Sequence, residues 1–304
     1  MITKHPLPSR DAETVGAMRA MAEQHKGEIF GPEARPGFEA MLAAATPASP
    51  QVRYRRDVVG GAPGWWCEPP DATPGARLLY LHGGCYVVGS AEALRNFAGQ
   101  FAVRIRAKAF VPDYRLAPEN PFPAAVDDAL AVYQGLAEDA ERIVVAGDSA
   151  GGGLTLALLA TLARQTGRHP QPLGAAVLSP WTDLALTGDS MTTRATADPI
   201  FTKAVLAHLA GLYLQGADPM DPRASPLYGT LPPAMPPIRI DVGEDEVMLD
   251  DSLRYAQRLQ DANLSVAVHV WGGMLHVFQS GVGRLSAADE SMDGIGAFLR
   301  DCLR

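Results

Sequence analysis

One serine of this chain lies in a pattern that can turn a hydroxyl into a nucleophile: Gly147-Asp148-Ser149-Ala150-Gly151. An apolar run over 142–146 precedes the pattern, and a helical run over 152–164 follows it. A sharp turn from strand to helix lifts the serine oxygen clear of the sheet and leaves no room for side chains at the flanking positions, which explains the glycines. An ordinary Gly/Ser turn is the alternative, because the pattern also arises by chance.

A serine nucleophile also needs donors that stabilise the negative oxygen formed when it attacks a carbonyl. The segment His82-Gly83-Gly84-Cys85-Tyr86 follows a predicted strand over 77–81, and its glycines allow backbone N–H groups to point into a site. The N–H of Ala150 would join them. We therefore expect Gly83, Gly84 and Ala150 to form an oxyanion hole, the alternative being a tight turn without a ligand.

The base that takes the serine proton must come from the seven histidines of the chain. His276 follows the last predicted strand, over 266–271, in a loop that can carry an imidazole back over the serine turn. His82 more simply orients the glycine loop through a hydrogen bond. We expect His276 to be the base.

An acid is needed to hold the imidazole tautomer and to stabilise the imidazolium. Asp245 follows the predicted strand over 238–242 and is the expected acid. Several acidic neighbours leave this choice open on chemistry alone: Asp241, Glu244, Glu246, Asp250 and Asp251. The chain order Ser149, Asp245, His276 is typical of α/β-hydrolases and differs from that of the chymotrypsin and subtilisin types.

The elements that would position these residues alternate between strands and helices. Strands are predicted over 52–58, 64–67, 77–81, 109–113, 142–146, 175–179, 238–242 and 266–271. Helices are predicted over 92–107, 124–137, 152–164, 250–261 and 287–303. This alternation predicts an α/β fold with a mostly parallel sheet covered by helices on both faces. The first two strands are candidates for an antiparallel edge.

The segment between Pro180 and Pro237 contains a predicted helix over 202–214 but no clear strand. An excursion of this length favours an inserted lid. We expect it to combine with the helical first fifty residues, so that 1–50 and 183–230 form a cap. The core would then comprise 51–182 and 231–304, with the cap over the carboxyl edge of the sheet, where open α/β sheets bind ligands.

The composition suits one large domain with a cap: 304 residues, 47% hydrophobic and 20% charged. A net charge of −8 without a Lys/Arg-rich run argues against nucleic-acid and anionic-membrane partners. The first residues lack the apolar stretch of a signal peptide. Three sparse cysteines, Cys67, Cys85 and Cys302, indicate neither a disulfide framework nor a zinc site. These features predict a cytoplasmic protein.

Five stretches together resemble the hormone-sensitive-lipase-like branch of the α/β-hydrolases, also called the bacterial family IV esterases. They are HGGCYVVG (82–89), DYRLAPE (113–119), GDSAGG (147–152), SPWTD (179–183) and GMLHVF (273–278). The resemblance implies an α/β-hydrolase fold with a helical cap. It also implies a nucleophile at Ser149, an acid at Asp245 and a base at His276. The oxyanion donors it implies are Gly83, Gly84 and Ala150.

The chain departs from this family pattern at two positions. The third glycine of the family's His-Gly-Gly-Gly is Cys85, which keeps a backbone N–H but adds a side chain at the wall of the hole. A packed side chain is a better interpretation of Cys85 than a reactive thiol, because His82 is its one basic neighbour. The family's Asp-Pro-Leu around the acid reads Asp245-Glu246-Val247, so Asp245 rests on position more than on the motif.

Apolar residues near the glycine loop and in the lid are candidates for substrate binding: Cys85, Tyr86, Trp181, Phe201 and Leu206. For the lid residues the alternative is packing on the core, since an apolar stripe at helical spacing is usually a packed face.

The hypothesis that follows is a serine carboxylesterase acting on short-chain acyl esters, without a metal or cofactor. A lactone hydrolase and a peptidase or amidase with the same triad remain open. A small-molecule receptor that has lost the chemistry is the alternative from another class, and the presence of His276 argues against it. The last helix and strand can also provide the edge of a homodimer.

Overall fold

A sheet of nine strands organises the computed structural model, which describes residues 2–165 and 167–304. The strands are β1 (Ile2–His5), β2 (Arg53–Val59), β3 (Ala62–Glu68), β4 (Ala76–Leu81), β5 (Lys108–Pro112), β6 (Arg142–Asp148), β7 (Gly174–Leu178), β8 (Ile238–Gly243) and β9 (Val266–Trp271). Their order across the sheet is β1-β9-β8-β7-β6-β4-β5-β3-β2. All neighbours are parallel from β1 to β5, and β3 and β2 add an antiparallel edge. The predicted α/β fold with an antiparallel early pair is confirmed.

Helices cover both faces of this sheet. They are α1 (Ala12–Glu23), α2 (Arg35–Ala45), α3 (Ala91–Ile105), α4 (Ala124–Ala137), α5 (Ser149–Arg164), α6 (Ser190–Thr193), α7 (Lys203–Leu214), α8 (Leu249–Asp261) and α9 (Ser286–Cys302). The buried side chains of α3 and α9 share one apolar cluster with Leu78 and Tyr80 of β4. Leu79 and Leu81 point to the opposite cluster, which includes apolar residues of α4, α5 and α8. Central strands are therefore apolar on both faces, as parallel sheets require.

The start of the chain differs from the prediction of a helical first fifty residues. Residues 2–5 form β1, which pairs in parallel with β9 in the register Ile2 with Val268 to His5 with Trp271. The His5 ring stacks on that of Trp271 with centroids 3.8 Å apart. Four residues are too few to show a strand period against the helical pattern that follows. The prediction is wrong for this segment, whereas α1 and α2 agree with the expectation that the first fifty residues are helical.

The inserted segment, residues 183–230, contains α6 and α7 and no strand. The Thr202 side chain caps α7 by accepting a hydrogen bond from Val205 N at 3.3 Å. At the other end of α7, Tyr213 stacks on Tyr86 of the glycine loop with ring centroids 3.9 Å apart. This helix therefore packs directly against a loop at the carboxyl edge of the sheet. Among the residues described, no helix is both long and apolar enough to cross a membrane.

Candidate active site

Ser149 lies at the junction of β6 and α5 with a left-handed backbone φ of 54°. A Cβ at Gly151 would overlap the backbone carbonyls of Leu81 and His82, and one at Gly147 would overlap the carbonyl of Gly151. Only glycine fits at either position, so the helix can approach the strands this closely. A non-glycine residue held in this backbone region is typical of a site where surrounding structure enforces strain. The predicted strand–turn–helix with Ser149 at its apex is present.

The glycine loop after β4 also has unusual backbone geometry. Gly84, Cys85 and Tyr86 follow one another at φ values of 116°, 54° and 64°. The N–H of Gly83 donates to Asp148 Oδ1 at 3.0 Å, so it is already engaged within the protein. The expectation that Gly83 provides an oxyanion donor is therefore corrected. A buried carboxylate beside the serine takes this N–H, and no sequence motif shows that contact.

Donors that remain free lie one residue further along the same loop. The N–H groups of Gly84 and Cys85 donate to no other backbone group within residues 2–165 and 167–304. The N–H of Ala150 belongs to the first turn of α5, where intrahelical partners are lacking. These observations leave the N–H groups of Gly84, Cys85 and Ala150 as the candidate oxyanion donors.

Buried polar contacts hold this loop in place. Asp148 accepts a second hydrogen bond from the Tyr80 hydroxyl at 2.7 Å, and burial raises the pKa of its carboxyl. His82 Nδ1 donates to the Gly83 carbonyl at 2.7 Å, and its ring stacks on Tyr114 at 4.3 Å between centroids. Burial lowers the pKa of His82, which favours the neutral ring. The structure agrees with the expectation that His82 orients the glycine loop.

His276 Nδ1 lies 2.7 Å from Glu246 Oε2, and the Glu246 side chain is fully buried. The other carboxylate oxygen, Oε1, accepts from the Ser179 hydroxyl and from Gly243 N, both at 2.7 Å. Val277 N in turn donates to Ser179 Oγ at 3.3 Å. Glu246 is thus fixed by three donors, one of which is the imidazole. The Nε2 atom of His276 has no hydrogen-bond partner among the described residues.

Asp245, the predicted acid, forms no hydrogen bond with His276 in the described part of the chain. Its Oδ2 accepts from Arg19 Nη1 of α1 at 2.9 Å, and about a fifth of its side chain (21%) is exposed. The next residue takes the expected place because β8 ends at Gly243, where a Cβ would approach Glu246 Oε1 to 2.8 Å. Glycine leaves space for the glutamate to fold back beneath the histidine. The prediction of a partner for His276 in this loop holds, but its assignment to Asp245 is wrong.

Opposing effects set the protonation of His276. Burial alone would lower its pKa, but the charge of Glu246, the hydrogen bond to it and the charges of Asp198 and Asp148 more than offset this, and the pKa is raised. The raised pKa means that the protonated form of His276 is stabilised. This suits a base that must hold a proton briefly during a reaction.

The candidates for substrate binding fall into two groups. Phe201 packs edge-on against the His276 ring with centroids 5.1 Å apart, and Tyr86 stacks on α7. Burial raises the pKa of the Cys85 thiol to about 12, as for a packed side chain. Trp181 and Leu206 have no accessible surface (0%), so in this structure they are core residues that present nothing to a ligand.

Glu246, Ser179 and Asp198 are the site residues that sequence reasoning missed. Glu246 is one of the acidic neighbours of Asp245 in the sequence. The absence of the family's Asp-Pro-Leu motif around Asp245 is the signal that could have directed attention to it. Ser179 begins the SPWTD stretch. No sequence feature pointed to Asp198, because only the fold brings this residue close to the site.

Comparisons with known proteins show the family of this chain. A family profile described as the α/β-hydrolase fold matches residues 78–280. An acetyl-hydrolase of Streptomyces hygroscopicus is 40% identical over 245 residues, covering 80% of this chain and 81% of the relative. An esterase of Acinetobacter venetianus is 32% identical over 242 residues, covering 78% of each chain.

Solved structures extend the likeness to nearly the whole chain. The crystal structure of an esterase from the bacterial hormone-sensitive lipase family is 37% identical, with a TM-score of 0.90, covering 98% of this chain and 99% of the other. The structure of EstE5 is 35% identical, with a TM-score of 0.89, covering 95% and 98%. The chain therefore belongs to the α/β-hydrolase family, in the bacterial hormone-sensitive-lipase branch of hydrolases that act on carboxylic ester bonds.

Proposed function

We propose that this protein is a serine carboxylesterase for short-chain acyl esters, in which Ser149, His276 and Glu246 form the triad. The observation that carries the proposal is the 2.7 Å contact of His276 Nδ1 with the buried Glu246 carboxylate, which leaves Nε2 unpartnered among the described residues. With Nδ1–H donated to Glu246, the lone pair of Nε2 is available for the proton of Ser149.

The proposed reaction uses these groups in turn. Ser149 Oγ attacks the ester carbonyl carbon as its proton passes to His276 Nε2, and the carbonyl oxygen becomes an oxyanion held by the N–H groups of Gly84, Cys85 and Ala150. The C–O bond to the alcohol breaks, and the alcohol leaves with the proton from His276. Water attacks the acyl-enzyme with His276 again as base, which releases the acid and restores Ser149.

The proposal of a short acyl chain is supported by the cap and by the names of the relatives. We assign the cap to residues 12–45 and 183–230, because Phe201 and Tyr213 of the insertion bring aromatic rings against His276 and Tyr86. Relatives named acetyl-hydrolase (40% identical) and ethyl acetate hydrolase (32% identical) support an acyl group of about this size. The cytoplasm remains the proposed location, supported by three cysteines that are all free thiols.

The test is hydrolysis of p-nitrophenyl esters, from acetate to laurate, by the natural protein, by Ser149→Ala and by the exposed control Ser265→Ala. We expect activity to peak at short chains, to fall by about 10⁴-fold or more in Ser149→Ala, and to be unchanged in the control. Labelling by a fluorophosphonate should likewise depend on Ser149. If none of the p-nitrophenyl esters is hydrolysed but a lactone is hydrolysed in a Ser149-dependent way, the ester assignment is contradicted. An active Ser149→Ala would contradict the triad.

A further inference from the structure

The segment that carries Glu246, residues 244–250 (the acid loop, which includes the first two residues of α8), is bonded to the cap on both sides of the glutamate. On one side, Val247 N donates to Asp198 Oδ2 at 2.9 Å. On the other side, Asp245 pairs with Arg19, which also donates to the carbonyl of Ala197. Asp198 therefore contacts one chain neighbour of Glu246 directly, and Ala197 is connected to the other through Arg19.

The same stretch of the cap holds the rest of the acid loop. The Ser190 hydroxyl donates to the Val247 carbonyl at 2.5 Å and accepts from Asp250 N at 3.0 Å. Arg194 approaches Glu244 at 3.8 Å. Residues 190–198 thus contact the acid loop from its first residue to its last. Arg19, which belongs to α1, also contacts this loop.

Asp198 links this contact to the histidine as well. Its side chain is buried, with 1% of the residue exposed, and Oδ1 accepts from Ile200 N at 2.8 Å and Phe201 N at 2.9 Å. Phe201 is the residue whose ring packs perpendicular to that of His276. Among the described residues, no Lys or Arg forms an ion pair with Asp198, and its carboxyl group is held by three backbone N–H groups. Burial raises the pKa of this carboxyl group.

We propose that Asp198 is a positioning residue of the triad: it clamps the acid loop at Val247 and Phe201 at the His276 ring, so that seating of the cap sets the Glu246–His276 geometry. This inference rests on the proposed function. Glu246 lies in irregular chain after β8, which needs outside contacts to hold it rigid. A displacement of about 1 Å at such a site can cost about 100-fold in rate.

The charge of Asp198 adds a second effect that a purely structural contact would not have. Three carboxylates from different elements act on His276: Glu246 of the acid loop, Asp148 at the end of β6 and Asp198 of the cap, and each raises its pKa. Removal of the Asp198 charge should therefore lower the pKa of His276.

The experiment compares Asp198→Asn with Asp218→Asn. Both residues precede a proline in the cap, and both accept the N–H two residues further on, at 2.8 Å in one and 2.9 Å in the other. Asp218 is exposed and does not contact the acid loop. For p-nitrophenyl acetate we expect Asp198→Asn to lose about 10- to 100-fold in kcat with KM within about threefold. The acid limb of its pH profile should shift to lower pH, whereas Asp218→Asn should match the natural protein.

Direct titration of His276 by NMR, assigned by the loss of its signal in His276→Asn, separates this inference from the proposed function. A lower pKa of His276 in Asp198→Asn supports the electrostatic part of this inference even if no ester is hydrolysed, and an unchanged pKa or an unchanged kcat overturns the inference. Arg19→Met is the second variant should Asp198→Asn fail to fold. It removes the hydrogen bonds on the other side of Glu246, and we expect a kcat loss of about three- to tenfold; full activity in Arg19→Met would overturn the clamp.

Discussion

The two ends of the proposed triad are built in different ways. The turn around Ser149 is fixed by contacts of the sheet with itself, where β6 and α5 pass so close to the carbonyls of Leu81 and His82 that only glycine fits at Gly147 and Gly151. The acid loop is fixed by residues far away in the chain, because Arg19 and residues 190–198 contact it from both parts of the cap. The position of the proposed nucleophile therefore depends on the core alone, and that of the proposed acid depends on both the core and the proposed cap.

This difference predicts how each end fails. Damage at the serine turn should disturb the whole fold, since the glycines lie where buried elements meet. Damage at the acid loop should reduce the rate while leaving the core intact, because the hydrogen bonds and ion pairs that hold this loop lie at the edge of the sheet.

The largest effect on stability is expected for Gly151→Ala. The added Cβ would overlap the carbonyls of Leu81 and His82, which are backbone atoms of the sheet edge and cannot move cheaply. We expect the free energy of unfolding to fall by more than about 3 kcal/mol, measured by urea denaturation. The control is Gly211→Ala in α7, where a Cβ meets nothing within 4 Å. It should gain about 0.5–1 kcal/mol, and equal stability of the two variants would refute the account of the turn.

Ser179→Ala should lower the catalytic rate without a comparable loss of folding stability, because Ser179 acts at Glu246. It removes the donor to Glu246 Oε1 and the acceptor for Val277 N. A hydrogen bond to a charged group is worth about 1.5–3 kcal/mol, so kcat/KM should fall by about 10- to 150-fold. Thr161→Ala is the control, because that hydroxyl bonds only within its own helix, to the Ala157 carbonyl. A loss of the same size in both variants would argue against a special role for Ser179.

The pH dependence of the natural protein tests the electrostatics of the acid end. Catalysis requires neutral His276, and the pKa of His276 is raised above its ordinary value of 6.5. Activity should therefore be lost as pH falls through a value above 6.5, with the midpoint read from kcat/KM. In Glu246→Gln the midpoint should lie lower, since the largest favourable charge is gone. A midpoint below 6.5 in the natural protein would contradict this picture.

The smallest effect is expected for Cys85→Gly. Glycine relieves a left-handed backbone at φ 54°, which costs about 1 kcal/mol or more for other residues. It also removes a buried thiol, a loss of about 1 kcal/mol. The two changes should nearly cancel, leaving stability within about 1 kcal/mol and kcat within about threefold. A large gain in kcat would show that the Cys85 side chain obstructs the oxyanion hole.

Local pattern explains what the sequence could predict. The helix α4 lies at its predicted bounds, Ala124–Ala137, because its apolar period and its proline start are both local signals. The turn around Ser149 was predictable for the same reason, since each of its requirements lies within five residues. β1 was missed because four residues carry too little pattern.

The sequence could not predict which of two adjacent carboxylates lies at the histidine. Asp245 and Glu246 are chemically equivalent candidates in the chain, and the direction of each is decided by contacts made after folding. Arg19 draws the first outward, and the space above Gly243 admits the second. The use of the Gly83 N–H by Asp148 is a contact of the same kind, across 65 positions of the chain.

The assignment of the acid is tested most directly by kcat/KM for p-nitrophenyl acetate in Glu246→Gln and Asp245→Asn. Glu246→Gln should lose about 10³- to 10⁴-fold, because the imidazole then lacks the charge that holds its tautomer and stabilises its protonated form. Asp245→Asn should lose no more than about tenfold, since it weakens one contact with Arg19. The reverse order, with Asp245→Asn the more damaged variant, would contradict the triad of Ser149, His276 and Glu246.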